Sequence, residues 1–231
     1  MSLLFNEILY RPLLNLLIAI YNNLPGQDFG LAIVLLTFLI KIVFFPLTLK
    51  TARSQKALAE LNPEISAIKE KYKNDKSSQS AAIMALYKDK KINPLAGCLP
   101  LLIQLPILVA LYRVFLDGVK PENLNMLYAF VHNPGELNKI FLGLVEITAK
   151  SPWLAFLAGG LQMIQAKVSA KNMPVGGNKE LSALSSQMLY FFPVMIIIIG
   201  WNLPAGVMLY WVASTLFSIG EQWFVKRNGP K

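Results

Sequence analysis

Long apolar runs constrain this chain more than any other feature of its sequence. A membrane-spanning α-helix needs about 20 predominantly apolar residues to cross the hydrocarbon layer. Five segments meet that requirement in length and composition. They cover residues 30–49, 93–116, 152–170, 184–200 and 206–225. The sequence therefore predicts an all-α, polytopic membrane protein with five transmembrane helices.

The composition agrees with burial in lipid. Of the 231 residues, 55% are apolar, and the mean hydropathy of +0.47 lies well above that of soluble domains. The single cysteine, Cys98, excludes an internal disulfide, and no Cys/His cluster offers metal-ligand spacing. G-x-S-x-G, H-E-x-x-H and Walker A motifs are also missing. We therefore expect no enzyme, cofactor or metal, and interpret His132 as a loop residue.

The distribution of basic residues predicts the orientation, because cytoplasmic loops are enriched in Lys and Arg. Segment 50–92 contains ten basic residues, whereas the loop 117–151 is close to neutral. The ten are Lys50, Arg53, Lys56, Lys69, Lys71, Lys73, Lys76, Lys88, Lys90 and Lys91. Segment 50–92 is therefore predicted to be cytoplasmic, with the loop 171–183 and the tail 226–231, and 201–205 is an outer turn. The N-terminus is then outside and the C-terminus inside. Topology thus explains the net charge of +9 better than nucleic-acid binding does.

Residues 1–29 have an amphipathic pattern that predicts a helix lying on the outer membrane surface. Glu7 and Arg11, four residues apart, are expected to form an ion pair. The polar face consists of Glu7, Arg11, Asn15 and Asn22, and the apolar face of Leu9, Leu13, Leu16 and Ile20. The alternative is an uncleaved signal-type segment, which the early Glu7 and the missing A-x-A site disfavour.

The cytoplasmic segment 50–92 is predicted to form a helical hairpin. Apolar residues recur in two groups at three- and four-residue steps, and the stretch Asn74-Asp75-Lys76-Ser77-Ser78 between them would supply the turn and a cap for the second helix. Pro63 would bend or interrupt the first helix. Its basic residues either lie near anionic lipid headgroups or dock a partner.

Lys41 is the candidate functional residue. It lies nine residues before Lys50, roughly 14 Å along a helix, and therefore inside the hydrocarbon layer. A charge there costs about 2.5 to 3.5 kcal/mol, so Lys41 should face a polar cavity unless it snorkels to the inner interface. We find no acidic residue at the centre of any span, so a hydrated cavity is favoured over a buried ion pair.

Polar residues at helical spacing on four spans predict the walls of that cavity. The predicted lining residues are Thr37, Gln104, Gln162, Gln165, Tyr210 and Ser214. Two of the stripes extend further, the third span's to Ser169 and the fifth span's to Ser218 and Glu221. The alternative is that each stripe only joins neighbouring helices by hydrogen bonds.

Three stretches resemble the YidC/Oxa/Alb insertase family. TFLIKIVFFPLTLKTARSQKALAELNPEISAIKEKYK (37–73) is similar to the first core span and the start of the cytoplasmic hairpin. ALYKDKKINPLAGCLPLLIQLPILVALYRVF (85–115) resembles the return arm and the second span. FFPVMIIIIGWNLPAGVMLYWVASTLFSIGEQWFVKR (191–227) is similar to the closing helical hairpin. The resemblance covers nearly the whole chain, and the larger extracytoplasmic domain of many members is not found, which suggests a minimal version.

The resemblance implies a function for Lys41. The family has a positively charged residue, usually arginine, at this position in a hydrophilic groove that is open to the cytoplasm and to lipid. Lysine keeps the charge but lacks the planar fork of arginine. By this analogy, a client's short hydrophilic tail enters the groove, and its apolar helix passes the third and fifth spans into lipid.

The resemblance also implies partners. These are nascent membrane proteins and membrane lipid, with the ribosome, the signal recognition particle or its receptor, and the Sec translocon as further candidates. The sequence starts without a transit-like extension, which favours a bacterial plasma membrane over an organelle.

Two other classes of protein remain open on sequence grounds. A small ion-coupled transporter or channel would also use an intramembrane lysine, although no inverted repeat is apparent. A structural scaffold or assembly chaperone without insertion activity would have the same spans.

Overall fold

The computed structural model describes residues 3–93, 99–118, 120–170 and 179–228. Helices make up 76% of it, which confirms the all-α prediction at the level of fold class. The α-helices are α1 (Leu3–Phe5), α2 (Arg11–Asn23), α3 (Phe29–Glu60), α4 (Asn62–Lys71), α5 (Lys76–Asp89), α6 (Leu99–Arg113), α7 (Pro152–Ala170), α8 (Lys179–Gly200) and α9 (Ala205–Asn228). The remaining elements are π-helical turns at Asn6–Tyr10 and Val114–Gly118, a 3-10 helix at Pro121–Met126, and an antiparallel hairpin of β1 (Ile140–Phe141) and β2 (Val145–Glu146).

Helix α9 packs against both α3 and α7, and α8 packs against α7. Phe38 of α3 contacts Phe217 of α9, and Phe45 contacts Phe224 further along both helices, so α3 and α9 run parallel. Side-chain hydrogen bonds from Trp211 to Gln162 and from Gln222 to Ser169 show that α7 also runs parallel to α9. These three helices form the frame of the bundle.

Helices α6 and α8 run in the opposite direction. Gln104, near the start of α6, bonds to Tyr210, whereas Phe115, just after α6, lies beside Gly206 at the start of α9. Trp201, just after α8, contacts Phe156 of α7, and Ile197 of α8 lies beside Gly159, so α8 runs antiparallel to α7. The alternation brings the loop 120–151, which we call the cap, and the turn before α9 to one end of the bundle. The α4–α5 hairpin lies at the other end. We call these the cap end and the hairpin end.

The buried apolar core lies towards the cap end. Side chains there are at most 2% exposed, and they come from the N-terminal helix, α3, the end of α6, the loop and α9. The largest are Tyr21, Tyr210, Phe29, Phe115, Leu14, Leu17, Ile18, Ile33, Leu36, Leu111, Ile147 and Met208. The bundle is therefore tightly closed at this end.

The outside of the bundle is apolar. On α3, Ile42 and Val43 are 58% and 71% exposed, and similar side chains are exposed on α6, α7, α8 and α9. In the described chain, Leu3–Asn23 and Phe29–Glu60 are long and apolar enough to cross a membrane, and Gln104–Leu116 and Tyr190–Gly200 are shorter apolar helices. Apolar exposure on this scale is typical of helix faces that contact lipid.

Backbone hydrogen bonds fasten the cap to α9. The first amides of a helix have no partner within the helix. Here Ala205 N–H donates to Ala149 O over 2.7 Å, and Gly206 N–H donates to Ile147 O over 2.8 Å. The loop therefore completes the start of α9.

Asp28 fastens the cap to α3. One carboxylate oxygen accepts from Leu31 N–H over 2.9 Å and caps α3, while the other accepts from Leu142 N–H over 2.6 Å in the turn between β1 and β2. β1 then lies so close to α3 that a Cβ atom on Gly30 would overlap with Phe141. Only glycine fits there without displacement.

The N-terminal helix differs from the predicted pattern. The Glu7–Arg11 ion pair is present, at 3.1 Å, but the polar stripe also binds the cap. Asn15 is 2% exposed; it donates to Met126 O and accepts from Tyr128 N–H. The sequence identified the stripe but could not show that loop backbone would cover part of it.

The α4–α5 hairpin is held at its turn and along its length. Asp75 accepts from the N–H groups of Ser77 and Ser78, and these bonds with the Ser78 hydroxyl hold the pKa of Asp75 below its ordinary value. The helix cap predicted for α5 is thus confirmed, at Asp75. This helix cap weakens only as the pH falls through the lowered pKa of Asp75. Pro63 interrupts the helix as expected, because α3 continues to Glu60 and α4 begins around the proline.

Replacing Gly30 with alanine should destabilise the protein, because the new methyl group would overlap with Phe141. Overpacking of this kind costs about 1–3 kcal/mol. The matched control is Gly160→Ala in α7, where a Cβ would meet nothing within 4 Å and alanine favours the helix. Thermal unfolding in detergent should show a lower midpoint for Gly30→Ala and an unchanged or higher one for Gly160→Ala. Equal midpoints would contradict the close approach of β1 to α3.

Candidate functional site, a polar cavity beside Lys41

Lys41 is fixed by the packing of α3 on α9. The two pairs of phenylalanine rings that join these helices lie on either side of it along the chain. Its ammonium group donates to Ser218 Oγ of α9 over 2.7 Å. The predicted intramembrane lysine therefore points into the bundle, towards α9.

Glu221 lies one helical turn beyond Ser218 on the same face of α9. It is 5% exposed, and its position one turn from Ser218, to which Lys41 donates, places its carboxylate near the Lys41 ammonium. Thr48 lies near the carboxylate, but its hydroxyl donates to Phe44 O over 3.3 Å, and Oε1 of Glu221 has no hydrogen-bond partner.

The expectation that Lys41 lacks an acidic neighbour was therefore wrong. Glu221 lies near the end of the predicted span 206–225 and was predicted only as a member of the fifth-span polar stripe. In the structure α9 continues to Asn228, so Glu221 lies two turns inside the helix.

A cavity of about 50 Å³ opens beside Lys41. By the usual measure of roughly 10–15 Å³ per water, it has room for a few water molecules. Residues of α3 and α6 line it: Ile40, Lys41, Phe44, Leu47, Thr48, Thr51, Gln104 and Ile107. The lining therefore combines one cation, two hydroxyls and an amide with apolar walls.

The cavity lies on the hairpin side of Lys41 along α3. Towards the cap, the next inward positions of α3 are Ile33, Leu36 and Thr37, each 1% exposed. By the two ring pairs, the level of α9 beside these residues is 212–216, where Val212 and Ala213 are also buried. Polar space beside Lys41 is thus closed on the cap side by packed side chains.

The structure places the predicted lining residues in three groups. Gln104 lines the cavity, as expected. Its amide donates to the hydroxyl of Tyr210, which lies within hydrogen-bonding reach of Ser214. Tyr210 and Ser214 are buried, so they extend the polar region into the bundle without lining the cavity.

Thr37 belongs to the second group, because its hydroxyl donates to Ile33 O of its own helix over 2.7 Å and does not reach the cavity. Gln162 and Gln165 of α7 form the third. Gln162 accepts from Trp211 Nε1 over 3.2 Å, on a face of α9 about 100° away from Tyr210. Gln165 is half-buried and is not among the lining residues. The contact of Gln162 therefore fits the alternative considered from the sequence, in which a polar stripe joins neighbouring helices by hydrogen bonds.

Sequence reasoning did not select four residues that the structure brings to the site. Thr48 and Thr51 follow Lys41 at seven and ten residues, which are positions on the same helical face. Ser218 and Glu221 were noted as part of the fifth-span stripe but not chosen as site residues. The spacing on α3 was a usable signal, whereas the pairing of α3 with α9 was not available from one sequence.

The site combines polar and charged side chains with apolar helix faces. Within the described ranges, no group of three His, Cys, Asp or Glu side chains could hold a metal ion. What the cavity offers is an ammonium, a carboxylate, hydroxyls and an amide between apolar helices. These features define a helical membrane protein with a polar, charged cavity that is closed towards one end.

Comparison with known proteins agrees with this class. The family model described as 60Kd inner membrane protein matches residues 20–231. The membrane protein insertase YidC of Fusobacterium nucleatum is 36% identical over 202 residues, covering 87% of this chain and 88% of the relative. That of Syntrophus aciditrophicus is 34% identical over 222 residues. The chain therefore belongs to the YidC/Oxa/Alb family of membrane proteins, and the resemblance found in the sequence is confirmed.

A solved structure, described as an active YidC insertase with its first transmembrane domain resolved, has the same fold. It superposes with a TM-score of 0.63 and 25% identity, covering 96% of this chain and 47% of the solved one. Like the solved protein, several relatives are much longer than this chain. The chain spans 36% of the Syntrophus aciditrophicus relative and 34% of that from Geobacter sp. strain M21.

A thiol placed in the cavity should react with a water-soluble maleimide, whereas a thiol in the closed region should not. Thr48→Cys and Thr37→Cys form a matched pair on α3, each in a chain whose single cysteine, Cys98, is replaced by serine. We expect labelling of Thr48→Cys at least about tenfold faster, because the thiolate needs water to form. The measurement is the labelled fraction over time in membranes, with denatured protein as the control for complete reaction. Equal rates would mean that the cavity is not reached by water.

Proposed function

We propose that this protein is a membrane protein insertase that receives a client's short hydrophilic tail in the cavity beside Lys41. The observation that carries the proposal is an ammonium group inside an apolar bundle, in polar space that is closed towards the cap. Membership of a family whose relatives are named membrane protein insertases supports it. No covalent step is required.

The cavity shortens the apolar distance that a tail must cross. Polar groups in hydrocarbon are costly unless they are hydrogen-bonded. The hydroxyls of Thr48 and Thr51, the amide of Gln104 and the ammonium of Lys41 supply such partners to a tail on the hairpin side. Only the packed region near the cap then separates the tail from the other side of the membrane.

Lipid takes up the apolar part of the client. Exposed apolar side chains cover the lipid-facing sides of the helices that surround the site, for example Ile42 and Val43 on α3 and Leu216 on α9. A client helix that lies along these faces is already in contact with hydrocarbon. Transfer of roughly 20 apolar residues into lipid is favourable and supplies the driving force.

The proposed topology has five spans, at residues 30–49, 93–116, 152–170, 184–200 and 206–225. The hairpin end is placed in the cytoplasm, because it contains ten basic residues within 50–92, against three basic and four acidic residues within 117–151. The N-terminal helix and the cap are then extracytoplasmic, and the C-terminus is cytoplasmic. The proposed membrane is the bacterial plasma membrane, because the named relatives are bacterial proteins.

The proposed partners are nascent membrane proteins and lipid. The basic face of the α4–α5 hairpin suits contact with a ribosome, with the signal recognition particle or its receptor, or with a Sec translocon. Family membership favours the insertase over a small ion-coupled transporter, although Glu221 supplies the intramembrane carboxylate that such a transporter would use.

Reconstitution tests the proposal directly. Liposomes containing only this purified protein should protect the tail of a single-span client from protease, whereas empty liposomes should not. Lys41→Arg should retain insertion of a client with an acidic tail, and Lys41→Ala should reduce it by about tenfold, the effect of losing roughly 1.4 kcal/mol of attraction.

The matched control is Lys50→Ala, which removes a lysine from the hairpin end of the same helix without changing the cavity lining. It should insert the client at the wild-type rate. Insertion by wild type at the level of empty liposomes would contradict autonomous insertase function, and equal loss in the two alanine variants would remove Lys41 from the mechanism.

A further inference from the structure

The cation in the cavity is already engaged by the chain's own side chains. Lys41 donates to Ser218 Oγ over 2.7 Å, and Glu221, three residues further along α9, interacts with the same ammonium. The site therefore holds two opposite charges in the absence of a client. A buried positive charge is stabilised by such a neighbour, whereas desolvation would destabilise a lone ammonium there.

The carboxylate is placed as a removable partner. Glu221 is 5% exposed, and its Oε1 has no hydrogen-bond partner. No hydrogen bond to that oxygen therefore fixes the carboxylate in one position. Thr48, which lies near the carboxylate, is itself part of the cavity lining. The group that neutralises Lys41 thus borders the space that a client tail would occupy.

We propose that Glu221 is the resting counter-ion of Lys41 and a specificity-determining residue that a client's acidic tail must displace. The proposal rests on the proposed insertase function. In this view the empty site is close to neutral rather than positive. A tail carboxylate reaches Lys41 only by competing with Glu221, and a basic tail is tolerated because Glu221 offsets the repulsion from Lys41.

The consequence is a client range broader than a lone lysine would give. Without Glu221, acidic tails would be favoured and basic tails repelled. Without Lys41, the remaining carboxylate would reverse that order. With both residues present the two preferences largely cancel, because two opposite charges beside the same cavity have opposite effects on the same tail.

The experiment uses the whole protein in liposomes without a membrane potential. Three single-span clients differ at two tail positions only, which are two Asp, two Asn or two Lys residues. Glu221→Gln should raise the ratio of Asp-tail to Lys-tail insertion about three- to tenfold above wild type, with the Asn-tail client little changed. Glu221→Asp, which keeps the charge, should restore the wild-type ratio.

Glu60→Gln is the matched control, because it removes a carboxylate from an exposed position at the end of α3. It should leave the ratio unchanged. A second comparison uses variants without a lone buried ammonium, so it does not depend on the folding of Glu221→Gln. Lys41→Gln should favour the Lys tail, and Lys41→Gln combined with Glu221→Gln should show no preference.

The outcomes separate this inference from the proposed function. If wild type inserts the clients but Glu221→Gln changes all three equally or not at all, and the double variant behaves like Lys41→Gln, then Glu221 is not a specificity residue and the insertase function stands. If wild type inserts none of the clients, the insertase function fails and this inference fails with it.

Discussion

The parallel packing of α3 on α9 is the constraint on which the site depends. Two pairs of phenylalanine rings fix the register of these helices, and between them Lys41 meets Ser218 and Glu221. If either helix shifted by one residue, its side chains would turn by about 100° and the ammonium would face lipid or a different partner. The location of the charge, the cavity beside it and the closed region beyond it all follow from this register.

The same register gives the bundle two unlike ends. Towards the cap, Ile33, Leu36, Val207 and Met208 are buried. Towards the hairpin, Thr48 and Thr51 add hydroxyls to the inner face of α3, and a cavity forms between α3 and α6. The α3–α9 pair thus closes one end while α3 and α6 enclose the polar space, and this asymmetry gives the proposed movement of a tail its direction.

The helical class, the Asp75 cap, the Glu7–Arg11 pair and the inward-facing Lys41 could be predicted because each depends on local spacing or on the cost of a charge in lipid. Tertiary contacts could not. Gln162 was expected to line a cavity but bonds to Trp211, since one sequence does not show which helix faces another. Glu221 was missed as a partner of Lys41 for the same reason, although its stripe was visible. Asn15 was expected on a surface and is covered by the loop.

The attachment of the cap to α9 has a consequence for how the loop can change its sequence. The bonds from Ala205 and Gly206 to the loop end on carbonyl oxygens, which every amino acid possesses. Particular side chains are needed at only a few points where the cap is fastened, such as Asp28 and Gly30 at the start of α3. Between those points, substitutions or longer insertions in the loop are compatible with an intact start of α9. The sequence of the cap can thus vary, or accept an inserted segment, while the membrane-embedded helices keep their structure.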